Sequence, residues 1–394
     1  MNGVRILVDA VVIASALAAL AVAPRVLARR RPDAVGTVVG RRLSSPPVWL
    51  ALVTALVYVD QVLFTVYVLR VHDGDPAFIA RYLPAGWFDL ASEHPVVRAL
   101  AEHWPLPGLL APSLLRVQAF LELPFVLLAF ATVVRWLDAD LYRRIARSAL
   151  LPAASVSYTA VFCLVEWDLR NPYTVDDLLI RALSAVLTPL FLAWLAARDG
   201  ATSRVPASVP GLLVFIGSLG ALGALVLVVY DTALLYSLGR LDDRLPLALA
   251  ASVALLGLRA GLAPRVSDAS SPTLSFVVRA LRHWLLLFFV PALAIRYGLL
   301  FGTPPLALAV GALTGVVACV RAVRETPDAH GVRLVVRLGG AVVGGSLAAA
   351  LAARVTPPSY AEVTLLSAMG AFLVVGVAVC GLLDRVSELR NIRS

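Results

Sequence analysis

Four acidic side chains interrupt the long apolar stretches of this chain. An ionised carboxylate at the centre of a bilayer costs roughly 2.5–3.5 kcal/mol on insertion scales, so such residues are rare and are often functional. A carboxyl group in apolar surroundings is suited to donating or accepting a proton. We therefore predict a catalytic acid/base group consisting of Asp60, Glu122, Glu166 and Asp231.

Other polar and aromatic residues of the same stretches are candidates for binding a substrate. The arginines among them are countercharges for the acids, the aromatic rings are suited to stabilising a cation, and the glutamine shares a helical face with Glu122. The predicted binding residues are Arg181, Arg296, Trp167, Tyr230, Tyr58 and Gln118. The alternative interpretation is structural, with the acids as paired ions and rim residues, and it suits Glu166 best because Glu166 lies near the end of its apolar stretch.

A polar stripe runs along the stretch that contains Arg181. Asp177, Arg181, Ser184 and Thr188 follow one another at helical spacing. Asp177 and Arg181 are four residues apart, so the spacing predicts an ion pair on one helix face. The stripe is a reasonable wall for a hydrated cavity.

The sequence restricts the cofactors that this chain can use. It contains no Lys, which excludes a Schiff base with pyridoxal phosphate and a P-loop lysine. Walker and Rossmann motifs are absent as well, so no nucleotide is expected. Asp73 and Asp75 are candidate ligands for a Mg²⁺ or Mn²⁺ ion, since hard cations favour oxygen ligands; the cofactor is otherwise unknown.

Asp73-Gly74-Asp75 opens the long segment 71–111, and this arrangement resembles membrane glycosyltransferases of the GT-C type. The resemblance covers that segment and one two-acid motif. It implies that the acids bind a metal or act as a base on a polyprenyl-phosphate donor. Acids beside aromatic residues in an all-helical bundle are also similar to integral-membrane terpene cyclases, which protonate a lipophilic polyene.

The elements that must position all these residues are membrane-spanning helices. Hydrophobic residues make up 60% of the 394 residues and charged residues 15%, a composition outside the range of soluble domains. Apolar segments of about 20 residues match a hydrocarbon core of roughly 30 Å. We predict an all-α polytopic integral membrane helical bundle, a single transmembrane domain over 1–394, with about eleven spans (ten to twelve). The predicted spans are 4–23, 47–70, 112–137, 148–168, 178–197, 209–238, 245–263, 284–302, 304–322, 333–353 and 361–383.

The arginines predict the orientation of this bundle. Most of them fall in alternate connections such as 25–42, 143–147 and 321–333. The positive-inside rule then places the N-terminus outside and the C-terminus in the cytoplasm. The basic excess is therefore topological, and nucleic acid is not an expected partner. The bias toward Arg, Ala, Val and Leu indicates a GC-rich genome and, with the spans, a multi-pass protein of a bacterial cell membrane.

Two regions outside the acids have a predicted role in assembly or access. The outer loop 71–111 is expected to carry two amphipathic interfacial helices, one beginning at Asp75 and the other at Pro95, and to work as a lid or platform. A row of small residues, Gly340, Gly344, Ala348 and Ala352, favours close helix packing within the chain. A homodimer seam is the alternative for that row.

Three functions remain open from the sequence. The first is an integral membrane enzyme acting on a lipophilic or lipid-linked substrate near the outer leaflet, because almost every acid in the apolar stretches falls on the side predicted to face away from the cytoplasm. The second is a proton- or cation-coupled small-molecule transporter, although no inverted repeat or pair of broken helices is found. The third is a non-catalytic accessory subunit of a membrane complex. Membrane lipids are the expected partners in every case.

Overall fold

Every element that the computed structural model describes is a helix, which confirms the predicted all-α class. The described residues are 2–28, 45–73, 75, 95–103, 113–170, 173–200, 206, 208–234, 241–257, 271–325, 331–356 and 361–393. The helices are α1 (Asn2–Ala28), α2 (Pro46–His72), α3 (Pro95–His103), α4 (Ser113–Leu137), α5 (Ala139–Ala146), α6 (Leu150–Leu169), α7 (Thr174–Arg198), α8 (Val209–Val229, continued by a π-helical turn, Tyr230–Leu234), α9 (Leu241–Gly257), α10 (Pro272–Phe301), α11 (Pro304–Arg324), α12 (Gly331–Val355) and α13 (Ala361–Arg393).

Ten of the described helices are long and apolar enough to cross a membrane, so the chain is a polytopic membrane bundle. This number lies within the predicted range of ten to twelve. The predicted span 245–263 coincides with α9, whose described part has 17 residues; residues 258–263 lie outside the described part. The orientation of the bundle stays a prediction.

The described helices form two compact units. Unit 1 consists of Met1–Ser203, Val228–Leu245 and Leu285–Thr314, and unit 2 of Arg204–Leu227, Pro246–Trp284 and Gly315–Ser394. The prediction of a single domain over 1–394 stays a prediction. Of the predicted site residues with described side chains, four lie on α2 and α4, five lie on α6, α7 and the π-helical turn, and Asp73 and Asp75 follow the end of α2, so the candidate site belongs to unit 1.

Unit 1 is organised around α4, which packs against α2 and α7. Phe64 and Val68 near the end of α2 contact Leu114 at the start of α4, so these two helices run antiparallel. The first turns of α4 and α7 are joined by the exposed ion pair Arg116–Asp176, so α4 and α7 begin at the same end of the unit. We call this end the acid end, since Glu166 and Asp177 also lie there.

Two prolines inside helices explain how α7 is fixed in the unit. A proline has no N–H for the carbonyl four residues earlier, and such a carbonyl must find another donor inside a membrane. Pro124 of α4 frees the carbonyl of Phe120, which accepts from Ser184 Oγ at 2.7 Å. Pro189 of α7 frees the carbonyl of Ala185, which accepts from Ser155 Oγ at 2.7 Å. Serines of neighbouring helices thus lock α4 to α7 and α6 to α7.

Two smaller sequence predictions concern the 71–111 loop and the small-residue row. The helix expected from Pro95 is present as α3, which packs against α2; the helix expected after Asp75 lies outside the described residues. In unit 2, Gly344 of α12 faces α13, where a Cβ would lie 3.4 Å from the side chain of Val379. The row is therefore used within the chain. The homodimer alternative stays a prediction.

Candidate functional site

The centre of the candidate site is the buried carboxylate of Glu122, of which 4% is exposed. Its Oε1 atom accepts from Tyr158 Oη at 2.6 Å and from Tyr230 Oη at 3.2 Å. The two phenol oxygens are themselves 2.9 Å apart. Glu122 Oε1 and the two phenol oxygens thus make three contacts with one another. Each phenol carries one proton, so only two protons are available for these three contacts.

Arg181 connects Glu122 to a second acid. Its Nη1 atom donates to Glu122 Oε2 at 2.7 Å, and its Nε atom donates to Glu166 Oε2 at 2.9 Å. The guanidinium carbon lies 3.5 Å from the centroid of the Phe162 ring, so the cation is covered on one face by an aromatic ring. The result is a buried Glu–Arg–Glu triad. A single guanidinium charge faces two carboxylates.

Asp177 adds a third carboxyl group to the triad. It is buried, one helical turn before Arg181 on α7, and lies within side-chain hydrogen-bonding reach of Glu166. The ion pair predicted from the spacing of Asp177 and Arg181 is not among the ion pairs of the described residues, because Arg181 pairs instead with Glu122 and Glu166 on two other helices.

These groups form a polar column that runs from the acid end of unit 1 to about two fifths of the length of α4. Glu166 is three residues from the end of α6, whereas Glu122 lies about 14 Å along α4, whose 25 residues span about 37 Å. Farther along α4, the buried side chains are mainly apolar, among them Phe125, Leu127 and Leu128. The column is therefore one-sided.

The opposite end of unit 1 has a different chemistry. Arg135 pairs with Asp199 through Nε at 2.7 Å and Nη2 at 3.1 Å, and Arg143 donates to the Asp199 carbonyl at 3.0 Å. Asp138 caps the first turn of α5. Burial and the nearby Asp199 raise the pKa of the Tyr142 hydroxyl, which keeps it protonated. Among the described residues of this end, the arginines contact Asp199 and Asp140.

The π-helical turn Tyr230–Leu234 brings three further predicted residues to the site. Its terminal carbonyls, of Ala233 and Leu234, each accept from Gln118 Nε2 at 3.1 Å. Tyr58 Oη shares a hydrogen bond of 2.6 Å with Thr232 Oγ1. The wider turn places Tyr230 on Glu122 and also buries Asp231. Single π-helical turns are frequent at functional sites.

The structure does not bring every predicted residue into this cluster. Asp60 is buried on α2, and its Oδ2 atom has no hydrogen-bond partner among the described residues. Trp167 follows Glu166 at the acid end and is 50% exposed. Arg296 belongs to α10, but its side chain is outside the described part. The catalytic and binding roles of all these residues stay predictions.

The predicted metal ligands lie just beyond the end of α2. Asp73 ends this helix in a left-handed conformation with φ 52°, and both it and Asp75 are exposed. Within the described residues, no group of three or more His, Cys, Asp or Glu side chains is arranged to hold a metal ion. A Mg²⁺ or Mn²⁺ site at Asp73 and Asp75 stays a prediction.

The sequence did not predict two residues that contact the triad, Tyr158 and Phe162. A signal for them was present, because Tyr158, Phe162 and Glu166 are spaced four residues apart and therefore share one face of α6. That face meets Arg181 and Glu122. Each aromatic residue, taken alone, is an ordinary member of an apolar helix.

Comparison with known proteins does not identify the chain: no protein-family model, curated protein or solved structure matches it. The chemistry of the site must therefore be argued from its own residues. Arg181 holds one oxygen of Glu122, and the other oxygen exchanges hydrogen bonds with two phenols. Such a group can accept a proton at Oε1, and it can return that proton while Arg181 stabilises the carboxylate.

Proposed function

We propose that this protein is an integral membrane enzyme that performs acid/base chemistry on a lipophilic or lipid-linked substrate. The observation that supports it most is the buried Glu122 carboxylate, held by Arg181 on one oxygen and by two phenols on the other. A transmembrane acid with dedicated partners is a functional candidate by its energetic cost. The predicted outward side of the acids favours the outer leaflet.

In the proposed mechanism, Glu122 is the proton donor and acceptor. When protonated, Glu122 gives its proton to Tyr158 or Tyr230, and that phenol gives its own proton to the substrate. A double bond thereby becomes a carbocation, or the bond from carbon to a leaving-group oxygen breaks, and Glu122 remains as a carboxylate. Arg181 stabilises that carboxylate. In the reverse direction, Glu122 takes a proton from the substrate through the same hydroxyls, so the phenols act as relays and the proton count is conserved.

The test is an untargeted lipid and metabolite comparison between cells that express the wild type and cells that express Glu122→Gln. Gln has the same shape and keeps an oxygen for the phenols, but it cannot exchange a proton. We expect a product to disappear and its precursor to accumulate. Asp60→Asn and Asp231→Asn are assayed alongside, since their predicted catalytic role implies the same loss.

The matched control is Asp384→Asn in unit 2. Asp384 is buried, pairs with Arg337 Nη1 at 2.6 Å and accepts from Thr273 Oγ1 at 2.9 Å. Its loss removes a buried carboxylate from the same protein without touching the Glu122 cluster. Unchanged lipids and metabolites in Glu122→Gln, or identical changes in Asp384→Asn, would refute the proposed enzyme.

A proton-coupled transporter is the second candidate. The feature that favours it is the run of polar contacts from Glu166 near the acid end, through Arg181, to Glu122 and its phenols. This run would carry a proton from the acid end of unit 1 to Glu122. The same comparison separates the two candidates, because a transporter redistributes compounds across the membrane and leaves their chemical structure unchanged.

A further inference from the structure

Arg170 adopts an unusual backbone conformation directly after α6. Its φ is 31° and its ψ is 120°, and its N–H donates to the Glu166 carbonyl at 2.9 Å. Residues other than glycine enter this left-handed region at a cost of roughly 1–3 kcal/mol, and such strain collects at active sites and ligand clamps. Glycine, which has no Cβ, adopts a positive φ at lower cost. The strained backbone therefore indicates that the Arg170 side chain has a role at this position.

The Arg170 side chain is held in place by Trp167, the residue that follows Glu166. Its Nε atom donates to the Trp167 carbonyl at 3.1 Å, and its guanidinium carbon lies 4.4 Å from the centroid of the Trp167 ring. Both residues are exposed. Within the described residues, these contacts leave the two terminal nitrogens, Nη1 and Nη2, without a hydrogen-bond or ion-pair partner.

A fixed guanidinium with two open terminal nitrogens suits a phosphate group. Its planar fork matches two phosphate oxygens, and charge-assisted bonds of this kind are about twice as strong as neutral ones. Trp167 is suited to the interfacial depth at which lipid headgroups lie. Glu166, the residue before Trp167, pairs with Arg181 and so connects this position to Glu122.

We propose that Arg170, supported by Trp167, binds the phosphate group of an anionic amphiphile, and that this compound class is the substrate of the Glu122 site. The headgroup is held at the acid end while the lipophilic part reaches the polar column. The assignment of a substrate rests on the proposed function. The binding of phosphate at Arg170 does not.

The test is a calorimetric titration of the purified full-length protein in neutral detergent. The probes are dihexanoyl phosphatidic acid, the matching diacylglycerol and inorganic phosphate. We expect phosphatidic acid to bind more tightly than diacylglycerol, and Arg170→Gln to weaken its binding about tenfold, as expected for the loss of a charge-assisted contact. Arg170→Gly is the second variant, because it removes the fork and relieves the positive φ, so it should fold at least as well and lose the same binding.

Arg198 supplies the matched control. It is an exposed arginine whose guanidinium carbon lies 4.2 Å from the Trp194 ring centroid, but it ends α7 at the far end from Glu166. Arg198→Gln should change phosphatidic acid binding by less than about twofold. An equal loss in Arg198→Gln, or no preference for phosphatidic acid over diacylglycerol, would overturn the proposal, since either result indicates general surface attraction or apolar partitioning.

Two further measurements distinguish free phosphate from a lipid headgroup, and the headgroup site from the proposed enzyme. If inorganic phosphate competes at similar concentration, the site takes free phosphate; if it does not, the site takes a lipid headgroup. Glu122→Gln should retain phosphatidic acid binding. If Glu122→Gln still binds phosphatidic acid but cellular lipids and metabolites are unchanged, the proposed enzyme is contradicted and the headgroup site is not. If Glu122→Gln abolishes a product but Arg170→Gln does not weaken phosphatidic acid binding, the headgroup site is contradicted and the enzyme is not.

Discussion

Removing the charge of Arg181 should destabilise unit 1 far more than breaking an exposed ion pair between the same two helices. Arg181→Gln leaves Glu122 and Glu166 facing each other without a cation. The side chains of these acids are only 5% and 10% exposed. Glu122 keeps its two phenol donors, but Glu166 loses its described cationic partner, so the cost is that of uncompensated buried charge.

The magnitude follows from the burial of the triad. Breaking a buried pair by removing one partner costs about 3–5 kcal/mol, which lowers the folding equilibrium constant by a factor of about 10² to 10⁴. The triple change Arg181→Gln, Glu122→Gln and Glu166→Gln removes all three charges. It should recover most of the loss, because a neutral hydrogen-bonded set does not carry the desolvation penalty of the ions.

The assay is reversible unfolding in mixed micelles of dodecyl maltoside and SDS, which yields a free energy for each variant. Arg116→Gln is the control. It breaks the Arg116–Asp176 pair between the same two helices, and these side chains are 45% and 46% exposed. We expect about 0–1 kcal/mol for that exposed pair.

Two results would refute this reasoning. If Arg181→Gln costs no more than Arg116→Gln, the Glu–Arg–Glu triad is not a buried ion network. If the triple variant is as unstable as Arg181→Gln, the loss comes from the stacking of the Arg181 guanidinium on Phe162, and the charges of Glu122 and Glu166 do not explain it.

Two further predictions concern the bundle that carries the site. Ser155→Ala should lower the free energy of unfolding by about 1–3 kcal/mol, because it leaves the Ala185 carbonyl without a donor. In a Pro189→Ala background it should cost little, since the restored N–H of residue 189 donates to that carbonyl. Equal costs in both backgrounds, measured by the same unfolding assay, would contradict the proline–serine explanation. For topology, a single cysteine introduced near residue 90 should react with an impermeant maleimide from outside the cell, and one near residue 330 only after permeabilisation. The reverse labelling pattern would overturn the predicted orientation.

The helical architecture could be predicted from the sequence because a bilayer permits few solutions. A span must satisfy its own backbone hydrogen bonds and expose apolar side chains over a fixed length, so the predicted spans 47–70 and 112–137 closely match the observed α2 and α4. The pairing of Gln118 and Glu122 on one face follows from helical spacing in the same way. Periodicity within one helix is readable without a structure.

Contacts between helices could not be predicted in this way. Arg181 and Glu122 are 59 residues apart, and Ser184 and Phe120 are 64 apart; no spacing rule connects them. The same holds for the π-helical turn, since nothing in the local sequence shows that Gln118 will supply donors for Ala233 and Leu234. Which acid meets which base depends on helix packing, and helix packing depends on shape along the whole interface.

The most direct test of the central claim uses purified protein. Lipid extract from cells that express Glu122→Gln, in which the precursor accumulates, is incubated with wild-type protein and with Glu122→Gln, and the products are resolved by mass spectrometry. Acid/base catalysis at Glu122 predicts that the wild type alone converts a lipophilic compound into one of different structure. An extract that the wild type leaves chemically unchanged would contradict it.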